Sequence, residues 1–278
     1  MIGFQGIKGS FSHQAIYNFF GKDEKSKGFL SFEEVFEALK NNIISRAFLP
    51  VENSIAGSVA PVYDLLLKYN CFIINEHYQK IDHYLLAKKQ IKLKDIQKVY
   101  SHPVALEQCR NFISENKFIP VQMYDTAGAA KFISNSDENL AAISPKLCSS
   151  IYNLHVLSEK IQSNENNYTR FVEIHNQNDK LLINPHSNKT SMAFKPVNTE
   201  KYGALSNCLD IFTKYKLNLT KVESRPDSEK LWEYVFFIDI SASIYDKNFI
   251  KCLSVLEDFT EFYKVFGTYK ECNKKIKP

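Results

Sequence analysis

Four short segments of the 278-residue chain carry side chains that could do chemistry together. In GIKGSFSHQAI (Gly6 to Ile16) a glycine turn leads from a strand into a helix start, with Ser10 and Ser12 beside it. Free backbone N–H groups and the helix dipole favour an anion there, and a carboxylate is a suitable guest. In LPVENSIAGSV (Leu49 to Val59) a strand ends in Glu52, Asn53 and Ser54. Open α/β sheets bind ligands outside the carboxyl ends of their strands, so these side chains point to a cleft. In SHPVALEQC (Ser101 to Cys109) Ser101 and His102 again follow a strand, Pro103 opens a helix, and Gln108 lies further along it, accessible from the same end. In NYTRF (Asn167 to Phe171) Arg170 can grip a carboxylate with two hydrogen bonds, and Thr169 can donate one to a leaving oxygen. Each segment taken singly has a plainer explanation. Ser58 would suit a helix cap, Ser101 and His102 another, His13 a packing histidine, and Thr169-Arg170 a surface pair.

The elements that would position these groups follow from apolar spacing. Strands are expected at Ile2 to Phe4, Arg46 to Val51, Cys71 to Ile74, Tyr84 to Ala87, Lys98 to Tyr100, Ala141 to Ser144 and Phe171 to Ile174. Helices are expected at Ser12 to Phe20, Phe32 to Lys40, Val62 to Tyr69, Val104 to Glu115, Gly128 to Ser134 and Lys146 to Ile151. Ser31 should cap the second helix, with Glu34 three residues on as in a capping box. The alternation predicts an α/β fold with a mainly parallel sheet, arranged as two lobes around a cleft, with a restart near His83. After the polar stretch His175 to Asn188 the rhythm changes to strand Thr190 to Lys195, helix Tyr202 to Tyr215, strands Leu217 to Arg225 and Tyr234 to Ile240, helix Asn248 to Phe262 and strand Tyr263 to Tyr269. That order, βαββαβ, is the ferredoxin-like arrangement.

Composition narrows the classes. Apolar residues make 44% and charged residues 24% of the chain, as in a soluble globular protein. The 35 basic and 31 acidic side chains leave a net charge of +4, too even a balance to point to nucleic acid or a membrane. Lys274, Lys275 and Lys277 suit a solvated end. The six cysteines form no C-x-x-C pair and sit at no zinc-ligand spacing, so reduced, packed thiols and no metal are expected. The start, MIGFQGIKGSF, lacks the features of a signal peptide, and no apolar run approaches the ~18 residues that would span a bilayer. A cytoplasmic location is the expectation.

Taken together, and in this order, Phe11-Ser12-His13, Glu52-Asn53-Ser54, Ser101-His102-Pro103, Asp125-Thr126-Ala127 and Thr169-Arg170-Phe171 resemble the prephenate dehydratase family. Further on, Gly203-Ala204-Leu205, Glu223-Ser224-Arg225-Pro226 and Trp232-Glu233-Tyr234 resemble that family's phenylalanine-sensing ACT domain. The resemblance implies a two-lobed, periplasmic-binding-protein-like catalytic domain over residues 1–178 and an ACT domain over residues 189–270. It departs at Tyr202, where the family usually has Pro, at Ser163, where it usually has Asp, and around Pro145, Cys148 and Ser149.

What the resemblance implies for chemistry is loss of CO2 and water from prephenate to give phenylpyruvate, driven by aromatisation and needing no metal or redox cofactor. Thr169, Arg170, Ser101 and Asn53 would be catalytic, with Thr169 donating to the leaving hydroxyl and Arg170 orienting a carboxylate. Ser10, Phe11, Ser12, Glu52, Ser54, Gln108 and Phe171 would line the substrate. Gly203, Ala204, Leu205, Glu223, Ser224, Arg225 and Pro226 would hold L-phenylalanine as allosteric inhibitor at a subunit interface, in a homodimer or homotetramer. Three rivals stand beside this reading: an arogenate dehydratase, a solute-binding protein, and an amino-acid sensor without catalysis.

Overall fold

The structure, a computed structural model, describes residues 1–136, 138–176, 184, 186–197, 200 and 202–272. The chain runs β1 (Ile2–Gln5), α1 (Phe11–Phe20), β2 (Ser26–Phe29), α2 (Phe32–Lys40), β3 (Arg46–Asn53), β4 (Gly57–Ser58), α3 (Ala60–Lys68), β5 (Cys71–Lys80) and β6 (Tyr84–Ala87). It continues through β7 (Lys98–Ser101), α4 (Pro103–Gln108), α5 (Arg110–Glu115), β8 (Ile119–Gln122), α6 (Thr126–Ser134), β9 (Ala141–Ser144), α7 (Leu147–Ile151), β10 (His155–Ser158) and β11 (Tyr168–Asn176). Last come β12 (Lys189–Pro196), α8 (Ala204–Lys214), β13 (Leu219–Pro226), β14 (Tyr234–Ile240), α9 (Lys247–Leu256) and β15 (Thr260–Tyr269). Its contacts divide it into two compact units, Met1–Val59 with His77–Phe171, and Ala60–Glu76 with Val172–Lys277. The chain passes from one unit to the other within β5 and again within β11. The expected domain limit at residue 178 lies outside the described residues.

The first unit is mixed α/β and holds two sheets. One has the order β2-β1-β3-β11-β5, with β4 folded back on β3; the other has the order β10-β6-β9-β7-β8. β1 runs parallel to β2 and β3, and β7 parallel to β8 and β9, but β6 is antiparallel to both β9 and β10. The second sheet is therefore mixed and not mainly parallel. Ile2, Phe4, Ala15, Ile16, Phe48 and Phe171 form the apolar core of the first sheet and α1. Ser31 caps α2 as expected, its Oγ accepting from Glu34 N, while Glu34 reaches back to Leu30 N. Ser58 does not cap a helix: it pairs with Glu52 across the β3–β4 turn. The helix expected over Val104 to Glu115 breaks at Cys109 into α4 and α5.

The second unit holds the sheet β13-β14-β12-β15, every neighbour antiparallel, with α8 and α9 supplying its core partners. Its βαββαβ order is the one the sequence predicts, although the helix expected to reach Phe262 ends earlier and β15 begins at Thr260. Residues earlier in the chain belong to it too. Lys264 Nζ donates to the carbonyls of Leu66, Leu67 and Tyr69 at 2.8–2.9 Å, closing the C-terminal end of α3. Arg225 makes a two-bond contact with Asp64 at 3.3 and 2.8 Å. Among the described residues no helix is long and apolar enough to cross a membrane.

Candidate active site

Asn53 ends β3, and the turn after it fixes how its amide lies. The N–H groups of Ile55 and Ala56 both donate to Asn53 Oδ1, at 3.0 and 2.8 Å. This local side-chain-to-backbone turn is what a short polar amide does well. It settles which end of the amide is oxygen, so Nδ2 must face the neighbouring strand. There it donates to Asn167 Oδ1 at 2.8 Å, Thr169 Oγ1 at 3.0 Å and Tyr168 O at 3.2 Å. The two segments are brought together because β3 and β11 are sheet neighbours. Ser54 clasps them: its N–H donates to Tyr168 O at 2.8 Å, and its Oγ accepts from Tyr168 N and donates to Asn166 O.

Thr169 and Arg170 lie inside β11, not in the polar run before it. Both are buried, Thr169 at 9% and Arg170 at 3% exposure. The Thr169 oxygen accepts from Asn53, so its own proton is available to another acceptor. Arg170 Nη1 stands 3.9 Å from Glu52 Oε2. A guanidinium with so little solvent around it needs charged or polar partners.

The same network runs on into the second sheet's side of the unit. Asn167 Nδ2 donates to Gln108 Oε1 at 3.0 Å, and His83 Nε2 lies 2.8 Å from that same oxygen. Gln108 ends α4 and is held by Ser163 N on its carbonyl. His83 is held at both backbone groups, its N–H donating to Gln162 Oε1 and its carbonyl accepting from Ile161 N. Burial pushes the His83 pKa down, against the opposing pull of Gln108 and Asp82. The Phe11 ring meets His83 edge to face at 5.2 Å, which ties the first motif to this group.

Other expected residues lie differently. Ser10 caps α1, its Oγ accepting from His13 N at 3.3 Å. His13 is buried, accepts from Gly9 N at 3.0 Å and stacks on Phe4, so it shapes the turn. Its pKa is lowered first by burial and then by Lys8. Ser12 is buried next to it. Ser101 is fully buried and donates to Ile143 O at 2.6 Å, apart from the Thr169 network. Phe171 is a core residue stacked on Phe48 at 5.4 Å. Asn167 and His83 are not among the residues the sequence singles out. Asn167 stood in the NYTRF segment, but nothing in the spacing marked His83.

In the second unit Gly203 caps α8 with φ +84°, a left-handed value that favours glycine. Ala204 and Leu205 line a cavity of about 420 Å³ with Trp232, Glu233, Tyr234 and Phe236. Glu223, Ser224, Arg225 and Pro226 are on β13; Glu223 pairs with Lys221 at 2.9 Å and Arg225 with Asp64.

Residues 2–180 match the family model described as prephenate dehydratase. A prephenate dehydratase of Methanocaldococcus jannaschii is 36% identical over 267 residues, covering 94% of this chain and 95% of that protein. An arogenate dehydratase/prephenate dehydratase of Arabidopsis thaliana is 34% identical over 281 residues, covering 96% of this chain and 72% of that one. The solved structure of a prephenate dehydratase from Arthrobacter aurescens in complex with L-Phe superposes with a TM-score of 0.90 at 27% identity, covering 99% of this chain and 91% of that chain.

Proposed function

The chain belongs to the prephenate dehydratase family, and we propose that Thr169 and Arg170 make it an enzyme that converts prephenate to phenylpyruvate, CO2 and water. The observation that carries the assignment is the Asn53 amide. Anchored by two backbone N–H groups, it donates to Thr169 Oγ1 and leaves the threonine proton for the ring hydroxyl of the substrate. In the reaction the C–C bond to the ring carboxylate breaks, its electron pair enters the ring, and the C–O bond to the ring hydroxyl breaks. The departing hydroxide takes a proton and leaves as water. A hydrogen bond placed on that oxygen lowers the barrier to its departure, and positioned proton donation is commonly worth about 10²–10⁴-fold. Arg170 holds a carboxylate of the dianion, and Glu52, Ser54, Gln108, Phe11, Ser10 and Ser12 shape the surroundings, while Ser101 and Phe171 hold the framework.

Residues 189–270 are the regulatory ACT domain in this reading. Support comes from the βαββαβ order, from Gly203 at the left-handed start of α8, and from the L-Phe bound to the similar Arthrobacter protein. L-phenylalanine bound by Gly203 to Leu205 and Glu223 to Pro226 in a symmetric dimer or tetramer lowers turnover by favouring a less active arrangement. The test is an assay of the purified chain with prephenate and, separately, with arogenate, each with and without phenylalanine. Phenylpyruvate should form from prephenate, at a rate that falls as phenylalanine rises. Turnover of arogenate in preference to prephenate would move the substrate to the aminated analogue, and no turnover of either would end the proposal.

A further inference from the structure

The polarity of the buried network reaches further than Thr169. Asn53 Oδ1 is pinned as acceptor by Ile55 N and Ala56 N, so Nδ2 is the donor to Asn167 Oδ1. That makes the other end of Asn167 its Nδ2, which donates to Gln108, so the Gln108 atom facing it is Oε1. His83 Nε2 is 2.8 Å from that oxygen and must carry a hydrogen. The amide orientations of Asn53, Asn167 and Gln108 are thus dictated by two backbone N–H groups, and His83 at the end of the relay can be in one state alone if it is neutral. His83 is 1% exposed, and its Nδ1 has no hydrogen-bond partner among the described residues. A second proton on the ring would bury an N–H without an acceptor.

We infer that His83, as the neutral Nε2–H tautomer, is a positioning residue for the reaction. It saturates Gln108 Oε1 together with Asn167 and so holds the Gln108 amide with its NH2 turned away from the network. The relay then presents donors at two places, the Thr169 hydroxyl and the Gln108 NH2, to a substrate that is a dianion and accepts hydrogen bonds at nearly every polar atom. A flip of the Gln108 amide would replace a donor by an acceptor facing that dianion. His83 itself touches no substrate in this scheme. The inference rests on the proposed function for its catalytic consequence, but the tautomer follows from the geometry alone.

Two measurements separate these parts. The first is the imidazole 15N spectrum of the full chain at pH 7.5, with His83 assigned by comparison with the His83→Gln variant. A neutral ring protonated on Nε2 is expected; an Nδ1–H tautomer or an imidazolium would overturn the inference whether or not the protein is active. The second compares His83→Gln with His83→Asn. Glutamine places an amide NH2 where the imidazole Nε2 was, whereas asparagine places it where Nδ1 was. With prephenate, kcat/KM of His83→Gln should stay within about threefold of the parent, and His83→Asn should lose up to about a hundredfold, the scale of a small misplacement in an active site. Thermal midpoints of the two variants should be alike, since both remove the same ring. Equal kcat/KM in the two variants would refute the positioning role. If the parent chain itself left prephenate untouched, the failure would lie with the proposed function, and the spectrum would still decide the tautomer.

Discussion

At Asn53 one amide has to serve two opposite needs: it accepts from the backbone of its own turn and donates to the neighbouring strand. Aspartate at this position could meet the first need and not the second. Its carboxylate would still accept from Ile55 and Ala56, so the turn should persist, but its other oxygen would take the Thr169 proton away from the substrate. Asn53→Asp should therefore fold normally and lose about a hundredfold in kcat, the lower part of the range for a positioned donor. Circular dichroism and steady-state kinetics on the same preparation check this; a variant with parental kcat would show that Thr169 does not depend on Asn53. Asn53, Thr169 and Arg170 stand in motifs that resemble the family's, with Gln108 beside one, whereas each segment taken singly has a plainer explanation. Asn167 and His83 lie outside those motifs, and only folding joins them to Gln108.

The elements that carry these residues differ in how plainly the sequence announces them. α1 and α2 carry apolar residues at helical spacing, β6 and β9 are short continuous buried runs, and all four fall close to expectation. β2, β8 and β10 are not expected from the sequence; they are four residues each with no fully buried residue, and sheet pairing rather than composition makes them strands. β11 begins earlier than expected for a related reason. Its polar start, Tyr168-Thr169-Arg170, is stabilised by pairing beside β3, which a single-segment pattern cannot reveal. The turn before α1 is sensitive to a small change. Gly9 has φ +94°, and a Cβ there would stand 2.8 Å from Cys148 Sγ. Gly9→Ala should lower stability by at least roughly 1–2 kcal/mol from backbone strain alone, and should disturb Phe11 and with it the packing on His83. Urea unfolding of the variant measures the first effect; an unchanged midpoint would mean that the turn relaxes freely.

For the whole molecule, two buried histidines, His13 and His83, and the half-buried His77 give a pH dependence. Burial is the leading cause that lowers the pKa of His13, His77 and His83. In the unfolded chain a histidine titrates near 6.5. Below that pH the unfolded chain binds protons that the folded chain refuses, so the contribution is complete above about 6.5 and is lost as pH falls toward the folded values. The urea midpoint should drop between pH 8 and pH 5.5, and a flat profile would contradict the burial of these rings. The division of contacts also bears on how the proposed regulation can be tested. Lys264, Arg225 and Lys189 of the later chain bind Leu66, Leu67, Tyr69, Asp64 and Glu76, so a cut after His186 would strip α3 and the start of β5 of their partners. Effector binding is better probed in the full chain.

The central claim is that the Thr169 hydroxyl assists departure of the ring hydroxyl from prephenate, and a pair of substitutions at that position tests it most directly. Serine keeps the oxygen and its proton; alanine removes both and alters little else in a strand held by its neighbours. With purified full-length chain and saturating prephenate, Thr169→Ser should keep kcat within about tenfold of the parent, and Thr169→Ala should lose at least about a hundredfold. A folded Thr169→Ala protein that forms phenylpyruvate at nearly the parental kcat would contradict the account.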